Sequence, residues 1–71
     1  MNTDLQNMNV TVLMGGDSAE REISIKSGTA VADALEVAGA RVTRLDTATK
    51  GWYRDLPIKT FVFNLLHGVG G

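Results

Sequence analysis

Seventy-one residues hold at most one domain, and a chain this short buries only about 60% of its unfolded surface, so its stability is marginal without a staple. It has no cysteine and one histidine, which excludes disulfides, thiolate centres and a self-contained zinc site. A net charge of -1 excludes a basic phosphate-reading surface, while 44% hydrophobic and 21% charged residues mark a globular chain rather than a disordered one.

Residues 1–9 form a polar lead without periodicity and without the basic and apolar regions of a secretory signal. Val10 to Met14 is a compact apolar run stopped by Gly15 and Gly16, which reads as a buried strand. Asp17 and Ser18 follow as helix N-cap types. From about Glu20 to Ala38 the period becomes helical, with Ile23, Ser27, Ala30, Val31, Ala34, Leu35 and Ala38 as the expected apolar face. Gly39 stands where a helix-ending glycine belongs. A second strand is expected over Arg41 to Leu45, ending at Asp46, and a polar connection from Thr47 to Pro57 carries a helical turn near Trp52 to Leu56. Lys59 to Leu66 gives the strongest strand signal and runs into His67, Gly68, Val69, Gly70 and Gly71.

This order predicts an α/β fold: a small, Rossmann-like, three-stranded parallel sheet with a βαβ crossover. Residues 10–71 form its single domain. One helix for three strands leaves the second sheet face uncovered and the last strand bare, and the chain stops inside a glycine loop, so the domain is expected to be truncated and marginally folded alone. No apolar run approaches the ~20 residues of a membrane span, and a cytoplasmic protein with neither nucleic-acid nor membrane partners is expected.

Two loops at the carboxyl edge of the sheet carry the chemistry. In the first, Gly15 and Gly16 allow a tight turn and close backbone approach ahead of a helix N-terminus. No phosphate-loop or dinucleotide fingerprint is present, and Asp46 lies too far along to serve as the ribose-binding acid of a dinucleotide fold. The loop is instead acidic, through Asp17, Glu20 and Glu22, and would repel phosphate but attract an ammonium group. Asp17 and Glu20 also have the spacing of a capping box, which is the structural explanation for the same residues. The second loop holds His67, at the carboxyl end of a strand among flexible glycines; it suits either a hydrogen-bonded structural histidine or a site residue. Trp52 and Tyr53 read as packing on the sheet edge, Met14 as core, and Lys26, Arg41 and Arg44 as solvated charges.

Residues 12–28 (VLMGGDSAEREISIKSG), with Ala30, Val31, Ala34 and Leu35 behind them, resemble the opening of the D-alanine–D-alanine ligases. Residues 63–71 (FNLLHGVGG) resemble that family's second signature, and the likeness covers residues 10–71. It implies an ATP- and Mg2+-dependent ligase of the ATP-grasp class that joins two D-alanines for peptidoglycan through an acyl-phosphate. The resemblance assigns catalytic and substrate-binding roles to Glu20, which contacts the ammonium of the first D-alanine, and to His67, beside that substrate's carboxylate and the developing phosphorylated intermediate. It adds Ile23 to the first-substrate pocket and Gly15, Gly16, Gly68, Gly70 and Gly71 as loop glycines. Val69 departs from the basic or polar residue common there.

By the same resemblance ATP and magnesium are bound by domains outside this segment, which alone is expected to bind no ATP, hold no metal and catalyse nothing. A homodimeric full-length protein is left open. Two alternatives remain: a segment of a D-alanine–D-lactate ligase, and a stand-alone, non-catalytic α/β binding module.

Overall fold

The computed structural model describes residues 6–66. Strand β1 (Asn9–Met14) leads through the glycine loop into helix α1 (Arg21–Val37), and β2 (Arg41–Asp46) follows. A 3-10 turn (Trp52–Asp55) interrupts the connection to β3 (Phe61–Asn64). All pairings are parallel, in the order β2-β1-β3. The α/β class, the parallel sheet and the crossover helix are as the sequence predicts.

The chain thus leaves β1 for one side of the sheet and returns to the other, so the order reverses between β1 and β3. In open parallel sheets ligands bind at such a reversal, outside the carboxyl ends of the strands.

Helix α1 packs on one face of the sheet. Val10, Val12 and Met14 of β1 meet Ala32 and Leu35 of the helix, joined by Ala40 and flanked by Met8, Val31, Val42 and Leu65. The helix closes on a Schellman arrangement: Gly39, at φ 100°, donates to Glu36 O, and Ala40 donates to Leu35 O.

Four expectations are corrected. Of the expected apolar face of α1, Leu35 is buried and Val31 partly so, but Ile23, Ala30 and Ala34 face solvent, and Ser24, Gly28 and Ala32 are buried in their stead. The helix has turned its small residues inward because backbone approaches strand there: a side-chain carbon on Gly28 would lie 2.6 Å from Met14 Cβ. Next, the second sheet face is covered at its centre. Thr11, Leu13 and Leu45 are buried although they lie outside the helix-side cluster. The returning connection packs its 3-10 turn on β2 and pairs the Thr60 hydroxyl with that of Thr11 at 2.8 Å. Finally, β3 spans four residues rather than eight, and all four are exposed. Pairing with β1 alone holds it, so its bareness is as expected. Arg44 is not simply solvated, since it bridges Asp33 and Glu36 on α1 at 2.7 and 2.8 Å.

Candidate functional site

Three chain turns converge at the carboxyl edge of the sheet: Gly15 and Gly16 after β1, Asp46 and Thr47 at the end of β2, and Leu65 and Leu66 after β3. Gly15 and Gly16 have φ of 82° and 79°, a left-handed conformation that side-chain-bearing residues adopt at a cost. A side chain on Gly15 would be driven into the Asp46 carboxylate. One on Gly16 would touch Leu66 and Thr47 at 3.5 Å, so the first loop lies directly against the other two.

Asp46 is the knot of this edge. Its Oδ1 accepts hydrogen bonds from the Gly16 N–H at 3.3 Å, the Ala48 N–H at 2.9 Å and the Arg21 guanidinium at 2.9 Å. Its Oδ2 takes a second bond from Arg21, making the pair bidentate. Arg21 also donates to Gly16 O at 2.8 Å. The guanidinium contact first, then the Ala48 N–H and to a lesser degree the Gly16 N–H, hold the Asp46 carboxyl well below the usual carboxylate range against the opposing effect of burial. The same pairing raises the Arg21 pKa. With its oxygens so engaged, Asp46 does not offer the free carboxylate that a ribose would need.

Glu20 occupies the N-cap position of α1, with φ -92° and ψ 14°, and its side chain makes no capping hydrogen bond. The expected capping box with Asp17 is therefore not formed. Ser18 serves the helix start instead: its hydroxyl accepts from the Glu20 N–H at 3.2 Å and its carbonyl from the Arg21 N–H at 3.1 Å. The exposed Glu20 carboxylate is thus left to solvent at a helix N-terminus, where the helix dipole favours its charge. Ile23 lies in the first turn of the same helix and is half exposed, three residues from Glu20 and one turn or less away. The described residues enclose no cavity around the two.

His67, Gly68, Gly70 and Gly71 lie outside the described residues. The described chain reaches Leu66, whose N–H donates to Asn64 Oδ1 at 2.9 Å and whose side chain lies against Gly16. Among the described residues no group of three His, Cys, Asp or Glu could hold a metal ion, and no helix is long and apolar enough to cross a membrane.

Reading by sequence missed Arg21, Ser24 and the structural use of Asp46. The phase of the helix could have flagged Ser24, which shares a face with Gly28 and Leu35. Nothing local could have paired Arg21 with an acid twenty-five residues away.

A D-alanine–D-alanine ligase of Sphingopyxis alaskensis is 56% identical over 63 residues, covering 87% of this chain and 20% of the relative. One from Rhizorhabdus wittichii is 49% identical over 65 residues, covering 90% and 21%. Another, from Rhizobium meliloti, is 45% identical over 73 aligned positions, covering 94% and 22%. No protein-family model matches the chain, and no solved structure does. The motif resemblance is borne out along most of the chain, which matches a segment, about one fifth of the whole length, of the D-alanine–D-alanine ligases.

Proposed function

We propose that this chain is the segment of an ATP-dependent D-alanine–D-alanine ligase that receives the first D-alanine. The carrying observation is the state of Glu20: a carboxylate at the sheet's carboxyl edge, on a helix N-terminus, with no capping bond to occupy it. Such a group binds an ammonium without first giving up an internal partner. Ile23, one turn or less further along and half exposed, supplies apolar surface suited to a methyl side chain. His67, two residues beyond Leu65, completes the reading as the group beside the substrate carboxylate.

The described residues do not fit ATP or magnesium. The glycine loop is acidic, and Asp46 at the end of β2 is already paired with Arg21. In this reading the nucleotide and its magnesium are held by the remainder of the full-length enzyme. The segment's own task is to bind and orient the amino acid whose carboxylate is to be activated.

Glu20→Gln in the full-length ligase that carries this segment tests the proposal. The change removes the charge and keeps the reach. A charge-assisted hydrogen bond contributes roughly 1.5–3 kcal/mol, so the apparent affinity for the first D-alanine should fall about 10- to 150-fold. The KM for ATP should hardly move. Because Glu20 makes no cap bond, the melting temperature should fall only by the small loss of its interaction with the helix dipole. A variant that melts lower yet turns over normally would return Glu20 to a purely structural role.

A further inference from the structure

We propose that Ser24 is a positioning residue whose single hydroxyl sets the spacing between the Glu20 loop and the segment that leads to His67; this deepens the reading above and rests on it. Ser24 lies in the first turn of α1 and is completely buried. Its Oγ accepts from the Gly15 N–H at 2.9 Å and donates to the Leu65 carbonyl at 2.7 Å. A hydroxyl can do both at once, having one proton to give and two lone pairs. The two backbone groups it joins belong to different loops, one closing β1 and one closing β3, on either side of the reversal in strand order. Leu65 is further tied to β1 by its N–H, which donates to Leu13 O at 3.0 Å.

Position 24 faces the sheet, where helix packing alone would be satisfied by alanine, as at Ala32. Alanine at 24 would strand a buried N–H and the carbonyl of Leu65, and both loops would shift to find other partners. The Glu20 loop would still be held from its other side, because Arg21 and Asp46 clamp Gly16. The β3 end would lose its tie to α1. Ser24 therefore acts on the alignment between the two loops more than on the Glu20 loop itself. That predicts a loss in turnover with D-alanine binding largely kept.

The test compares Ser24→Ala and Ser24→Cys in the full-length ligase, with steady-state kinetics and amide hydrogen exchange on the same samples. For Ser24→Ala, kcat should fall about 10- to 100-fold, the scale of a misplacement near 1 Å. KM for the first D-alanine should rise less than about threefold, and KM for ATP should stay fixed, against the large KM effect expected of Glu20→Gln. Ser24→Cys keeps nearly the same volume with a weak donor and acceptor and should give an intermediate kcat; it carries the test if the alanine variant does not fold. Peptides covering the Gly15 amide, which loses its acceptor, and the Leu65 amide, whose carbonyl loses its donor, should lose exchange protection together. A kcat within twofold of wild type, or protection lost in one peptide only, overturns the proposal. If the unsubstituted protein forms no D-alanyl-D-alanine, the ligase reading fails, and the exchange arm alone decides whether Ser24 couples the loops.

Discussion

Asp46 gathers the backbone of two turns and the side chain of Arg21 onto one carboxylate, so protonating it removes the charge that holds Arg21 and weakens the whole set. Its pKa is depressed in the folded protein, so its contribution is fully present above the ordinary carboxylate value of about 3.9 and is lost as pH falls through the folded value. Melting temperature should therefore decline on acidification below about pH 4, and Asp46→Asn should flatten that part of the profile while lowering stability at pH 7. The pair is largely open to water, so solvent screens it and its ionic contribution at neutral pH should be small. A profile over pH 2–7, unchanged by the substitution, would remove Asp46 from this role. At this scale the sequence was only half legible. Glu20 could be singled out from loop composition and helix-start chemistry, whereas Arg21 looked like one more charge on a helix, because no periodicity relates it to the end of β2.

The strands and helix were legible in kind, because their periods are long and bounded by glycines. Their faces were less so. The expected apolar face included Leu35, which the fold buries, but also Ile23, Ala30 and Ala34, which it leaves exposed, while packing buried Ser24, Gly28 and Ala32. Small residues bury little area, but they let the helix lie closer to β1, and that closeness is invisible to a count of hydrophobic positions. Gly28→Ala separates the two effects. Helix propensity alone favours alanine by about 1 kcal/mol. The added carbon, however, meets Met14 at its Cβ, which cannot swing aside, and overpacking of this kind costs roughly 1–3 kcal/mol. The substitution should lower the denaturation midpoint, with an unchanged slope on denaturant; a raised midpoint would show the helix free to move outward.

Among the described residues, no two sequence-adjacent strands form a hairpin. Asn9 pairs with Arg41 and Val10 with Phe61, so the ladders join positions roughly thirty and fifty residues apart. The entropy of closing such loops must be met before any ladder bond repays it, which makes parallel topologies slow to fold for their size. Only α1 can form from local contacts. Once helical, its 17 residues replace a long flexible span with a rod of about 26 Å, leaving short segments to bring β2 beside β1. The helix is then part of the nucleus, and weakening it should be felt during folding rather than after it. Ala34 is exposed and lies outside the core cluster, so Ala34→Gly reduces helix propensity by about 1 kcal/mol with little change in packing. Stopped-flow refolding should slow about three- to fivefold, with the unfolding rate nearly unchanged. The opposite partition would mean that β1 and β2 find each other before the helix between them has formed.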